Sequence, residues 1–135
     1  MVQFSGVRSQ AYSDFLLPVH SELVQCIGSP LILHICGDTK DRIQYIRQTG
    51  IHCFHWDTKS GKPDEIRRLA GERFSLMGGV SNIETLYNGT PDDVCKQAQE
   101  AADAGINIVG PECAVPLDVK VDNLKAISQQ VVHSR

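Results

Sequence analysis

Four times along this chain a short apolar run gives way, after a few turn-forming residues, to a stretch of helical periodicity. Leu31–Ile35 precedes a helix predicted over Thr39–Gln48, and Ile51–Trp56 precedes one over Lys62–Ala70. Phe74–Met77 leads into a short helix opened by Ser81-x-x-Glu84 and ending at Tyr87, then a longer one from Thr90 to Ala104. Ile106–Val109 is the last run and Val121–Val132 the closing helix. Parallel strands need a crossover of this length, so the alternation selects an α/β fold of parallel βα units. The runs are apolar along nearly their whole length, as expected of strands covered on both faces. A closed TIM (β/α)8 barrel needs eight such units and typically ~250 residues. The 135 residues here supply four. No linker or low-complexity run divides residues 1–135, which read as one domain.

Ahead of the first strand, Phe15, Leu16, Val19, Leu23, Val24 and Ile27 recur at three- and four-residue spacing, which predicts a helix over Ala11–Ile27 with an apolar face. Pro18 starts or kinks it, and Gly28-Ser29-Pro30 stops it.

The first strand ends in His34-Ile35-Cys36-Gly37. Side chains two apart on a strand share a face, so His34 and Cys36 can aim a ring nitrogen and a thiol at one point. Cys113 follows the last apolar run, through Gly110-Pro111-Glu112. In a parallel sheet both sites lie at carboxyl ends. One His and two Cys form a soft donor set suited to zinc, and three ligands with an open position mark a catalytic rather than a structural zinc. The same residues equally suit plain core positions, since free Cys is among the most buried residue types.

Net charge is −3 with no basic cluster, which removes electrostatic support for nucleic-acid binding. No apolar run has the length of a membrane span, and the first residues lack signal-peptide character, so a cytoplasmic protein is expected. Five scattered cysteines are not a disulfide framework.

Leu33-His34-Ile35-Cys36-Gly37-Asp38, Leu76-Met77-Gly78-Gly79-Val80, Gly89-Thr90-Pro91-Asp92-Asp93-Val94 and Gly110-Pro111-Glu112-Cys113-Ala114-Val115-Pro116 resemble, in order and spacing, the uroporphyrinogen decarboxylase superfamily. Within it they look like the cobamide-dependent methyltransferases that act on coenzyme M in methanogens. The resemblance runs from about Tyr12 to Val132 and covers the C-terminal half of a typical member, strands five to eight of a (β/α)8 barrel. It departs from the pattern at Ala114, where the family usually has Gly, and at Gly78-Gly79-Val80, where it usually has Gly-Asn-Val.

The resemblance implies zinc held by His34, Cys36 and Cys113, with Asp57 filling the fourth position until substrate displaces it. It implies methyl transfer from a methylcorrinoid, carried on a partner corrinoid protein, to a thiol such as coenzyme M. Decarboxylation of a tetrapyrrole, and a half-barrel without catalysis, are the competing readings. His55 shares a face with Asp57 and reads as a packed strand histidine. Cys26, Cys53 and Cys95 read as plain thiols, and His20, His52 and His133 as surface residues. Gly78-Gly79 reads as a turn, and Asn82 faces the site or opens the short helix. A half-barrel leaves an inner face and two edges open, which predicts a homodimer, an amino-half partner, or an open sheet closed by the N-terminal helix.

Overall fold

A computed structural model describes residues 9–133, with side chains to residue 129. A four-stranded parallel sheet runs in the order β1-β2-β3-β4, from β1 (Ile32–Ile35) through β2 (Cys53–Trp56) and β3 (Ser75–Val80) to β4 (Ile108–Pro111). His34 pairs with His55, His55 with Met77, and Met77 with Ile108, so one row of side chains crosses the sheet on one face. The alternate residues Phe54, Trp56 and Leu76 lie on the other face, buried with Ile43, Ile46, Ile66, Ala101 and Ile106. The strands therefore bury one face against helices. Ile32 is 54% exposed and Ile108 45% on the opposite face, where full cover was expected.

The helices follow the predicted order: α1 (Ser9–Ala11), α2 (Leu17–Cys26), α3 (Ile43–Ile46), α4 (Pro63–Ala70), α5 (Pro91–Asp103) and α6 (Val121–His133). A π-helical turn, Tyr12–Leu16, joins α1 to α2 and leaves Pro18 in the first turn of α2, where its missing N–H costs nothing. The predicted apolar face of this helix is corrected. Tyr12 is buried, whereas Phe15, Val19 and Leu23 point outward. The helix over residues 39–48 is tightened to 3-10 turns at both ends, Lys40–Arg42 and Arg47–Thr49, and stops at left-handed Gly50.

Gly78-Gly79 is a second correction, because these residues continue β3 instead of turning the chain. A Cβ on Gly79 would stand 2.6 Å from the Ala101 Cβ, so glycine lets α5 lie close against the strand. β4 begins and ends two residues later than the apolar run Ile106–Val109 suggested, so the strand closes two residues before Cys113. Val80, Leu86, Val94, Ala98, Val119 and Ala126 form a second cluster under α5 and α6. Among the described residues no helix is long and apolar enough to cross a membrane.

Candidate metal centre

The three predicted donors meet. His34 Nε2 lies 3.0 Å from Cys36 Sγ and 3.3 Å from Cys113 Sγ, and the two sulfurs are 3.2 Å apart across 77 residues of chain. Among the described residues this is the group of ligating side chains whose donor atoms gather within 4.8 Å. His34 Nδ1 is 3.0 Å from the carbonyl of His55. A carbonyl only accepts, so the Nδ1 carries the proton and Nε2 keeps a lone pair toward the sulfurs. Tetrahedral zinc at about 2.0–2.3 Å from N and S sets its donors ~3.5–3.8 Å apart. The cluster fits that requirement with a small outward movement. The Cys36 thiol is pushed up to about 11 by its hydrogen bond with Cys113, then by burial and by the charges of Cys113 and Asp57, while Lys59 pulls it down. Without a cation the Cys36 thiol holds its proton, and a metal would take its place.

The loop that presents Cys36 is fastened from β2. Gly37 has φ 82, a left-handed conformation that releases the chain from β1 directly after Cys36. Its N–H donates to Asp57 Oδ2 at 2.8 Å, and its carbonyl accepts from Ser60 Oγ. The other Asp57 oxygen accepts from the Lys59 N–H at 2.9 Å. Asp57 therefore caps the Thr58–Ser60 turn and grips the Gly37 loop. It is not among the donors of the three-atom cluster, where the resemblance put a fourth ligand.

His55 does pack on the strand, with its ring 4.3 Å from that of His34, but it also acts as a strut. Its Nε2–H donates to the Pro111 carbonyl at 2.8 Å, which ties β2 to β4 across the intervening strand. Burial pulls its pKa down, and the Pro111 hydrogen bond opposes this. Asn82 opens the short helix as a π-helical turn, Asn82–Tyr87, and donates through Nδ2 to the Ala114 carbonyl. Cys26 is exposed, Cys53 buried and Cys95 partly buried, all free. His52 is exposed and accepts from the Leu31 N–H, whereas His133 lies outside the described side chains.

Two features escaped the sequence reading. Glu112 is buried beside Cys113 and accepts from the Thr58 N–H and hydroxyl on one oxygen and from Ser81 Oγ and the Asn82 N–H on the other. One carboxylate thereby binds the ends of β2, β3 and β4. A glutamate directly before the distal cysteine was the available signal. His20, read as a surface residue, is the second feature. Its Nδ1 bonds to the Tyr12 hydroxyl at 2.8 Å, and both residues line a cavity of about 490 Å³ that also contains His34, Cys36 and Cys113. Burial lowers the His20 pKa.

A half-curled parallel βα sheet with an imidazole and two thiols at its carboxyl ends defines a partial TIM-type α/β fold bearing a soft-metal donor set. Residues 5–134 match the uroporphyrinogen decarboxylase (URO-D) family, and the chain belongs to it. It is 37% identical over 122 residues to a methylated-thiol–coenzyme M methyltransferase of Methanosarcina mazei, covering 90% of this chain and 33% of that protein. It is 25% identical over 118 residues to a methylcobamide:CoM methyltransferase of Methanosarcina barkeri, covering 87% and 35% respectively. A methyltransferase structure from Methanosarcina mazei superposes with a TM-score of 0.88 at 25% identity, over 93% of this chain and 37% of that one. The chain spans about a third of the length of the curated relatives it matches.

Proposed function

We propose that this chain, as one half-barrel unit, carries the zinc-binding, thiol-accepting part of a methyl-transfer site. A methyl group would pass from a methylated corrinoid on a partner protein to a thiol such as coenzyme M. The observation that carries the reading is the contact between His34 Nε2 and the two thiols, with the histidine tautomer set for ligation by His55. The names of the relatives support the same chemistry. His34, Cys36 and Cys113 would hold zinc and leave a fourth position on the open side of the sheet. Bound zinc would supply a Lewis acid that favours loss of the thiol proton near neutral pH.

The chain's own residues do the positioning. Asp57 and Ser60 hold the Cys36 loop, Glu112 holds the segment that presents Cys113, and His55 orients His34. Asp57 can enter the fourth position only by giving up amide hydrogen bonds, which makes it a candidate ligand in the absence of thiol. In the overall exchange the thiol would gain the methyl group and release its proton to solvent, and the corrinoid donor would keep the bonding electron pair.

One further reading rests on the chain's spanning about a third of its relative's length: a unit that binds zinc but turns over only together with the rest of a barrel. The experiment is metal analysis of the purified chain and of Cys36→Ser and Cys113→Ser, followed by demethylation of methylcobalamin with 2-mercaptoethanesulfonate. About one zinc per chain, lost in both variants, is expected. Full zinc in both variants overturns the assignment.

A further inference from the structure

Arg42 lies on the stripe of residues 39, 42, 43 and 46 that turns into the core, yet it is a cation among Thr39, Ile43 and Ile46, all of them buried. It is itself only 6% exposed. Its Nε donates to Asp41 at 2.8 Å, and that carboxylate is half exposed. Its two terminal amino groups have no hydrogen-bond partner among the described residues, and neither is sealed from solvent. Arg42 lines the same cavity as His34, Cys36 and Cys113.

Among the described residues nothing else in the cavity answers this charge. Asp57 and Glu112 also line it, but all four of their oxygens already accept protein N–H or O–H groups. The Tyr12 hydroxyl, held close enough to feel the Arg42 charge, is bonded to His20. A buried guanidinium with open donors is costly unless an anion meets it, and its planar fork suits a carboxylate or sulfonate. Leu16, Leu33 and Ile35 supply an apolar wall in the same cavity.

We propose that Arg42 is the anion seat of this cavity, the residue that takes the charged end of an acceptor thiol bound at the His34–Cys36–Cys113 end. The part concerning the thiol rests on the methyl-transfer reading above, and the seat itself does not. Lys59 also lines the cavity, but it is 69% exposed and its ammonium lies 4.0 Å from Asp57, which makes it the control.

The test uses the full chain and two groups of probes, read by calorimetric or NMR titration. Ethanesulfonate and propionate report the seat alone, in metal-free protein. 2-Mercaptoethanesulfonate and 2-mercaptoethanol, in zinc-loaded protein, report the two ends together. Arg42→Met should weaken ethanesulfonate or propionate at least about tenfold, the loss expected of a charge-assisted pair, and leave zinc content unchanged. Lys59→Met should change neither by more than about twofold. Wild type should prefer 2-mercaptoethanesulfonate over 2-mercaptoethanol, and Arg42→Met should abolish that preference. Anion binding that survives Arg42→Met, or that follows Lys59→Met instead, overturns the seat. Zinc absent from wild type while Arg42-dependent sulfonate binding persists would sink the metal reading and leave the seat standing. Should Arg42→Met fail to fold, Arg42→Lys keeps the charge and loses the fork. Unchanged anion affinity in that variant also counts against the proposal.

Discussion

His34 and His55 face each other across the β1–β2 ladder, and the first donates its Nδ1–H to the backbone carbonyl of the second. The bond needs only the His55 main chain, so it survives any side-chain change there. The His55 ring, by contrast, holds β4 through Pro111. His55→Phe should therefore keep His34 as a ligand but loosen the approach of Cys113. We expect zinc to be retained with affinity reduced about tenfold, as for other groups that orient ligands. Competition with a chromophoric chelator measures this, and wild-type affinity would show that the Pro111 strut is dispensable.

Asp57 offers a sharper discrimination. In Asp57→Asn one oxygen becomes an NH2 that confronts the N–H of Gly37 or Lys59. If Asp57 is a positioning residue, affinity for zinc falls about 10–100-fold while binding remains measurable. A loss as complete as in Cys36→Ser would make it a ligand in its own right.

Glu112→Gln should be the most damaging isosteric change near the site. The carboxylate accepts four hydrogen bonds, and those from the Thr58 and Asn82 N–H groups, one on each oxygen, cannot reverse, whereas an amide can accept at only one of its two ends. A cost of about 2–3 kcal/mol is expected from buried donors left unpaired. Urea unfolding checks this, and a midpoint within error of wild type would refute the network's role.

The sequence made the order of strands and helices legible because the apolar runs and the capping residues agree. Thr90 shows this best, since its side chain and that of Asp93 cap each other's backbone as the Thr-Pro-Asp-Asp run implies. The candidate donors His34, Cys36 and Cys113 were legible through strand parity, their place after the apolar runs and the family resemblance. What periodicity could not show was which apolar face meets protein. Phe15 and Val19 obey the same spacing as Leu16, yet only a partner surface, not the sequence, determines whether they are covered. Glu112 and Arg42 were hidden because a single charged residue carries no pattern. Their meaning comes from donors on distant strands, or from the lack of them.

Thr90→Ala should cost about 1 kcal/mol, as for other N-cap losses. The effect has a pH sign. Asp93 is held below the usual carboxylate range, chiefly by the Thr90 hydroxyl and then by its N–H. A depressed acid contributes stability above its ordinary value and loses it as pH falls through the lower folded value. The gap between wild type and Thr90→Ala should therefore narrow in acid. Thermal unfolding at neutral and acid pH measures it, and a constant gap would count against the capping box.

Association is the remaining expectation. Ile32 and Ile108 leave apolar surface on the two edge strands, and the outer stripe of the N-terminal helix adds Phe15, Val19 and Leu23. Unpaired parallel edges of this kind pair with another chain. Sedimentation equilibrium should give twice the 14.9 kDa chain mass, or a stable complex with an amino-half partner. A well-folded monomer of the purified chain at micromolar concentration would exclude the homodimer.

The donors of the candidate metal centre come from the first and last strands of the sheet, at its opposite edges. In a flat sheet those edges would stand roughly 14 Å apart at ~4.8 Å per strand. An ion gripped by Cys36 and Cys113 would therefore act as a clasp that sets the sheet's radius of curvature. It would also close a chain loop of 77 residues, long enough to restrict the unfolded ensemble much as a covalent cross-link does. Loading with metal and curling of the sheet would then be one event, so the mouth of the half-barrel would take its shape from the ion it carries.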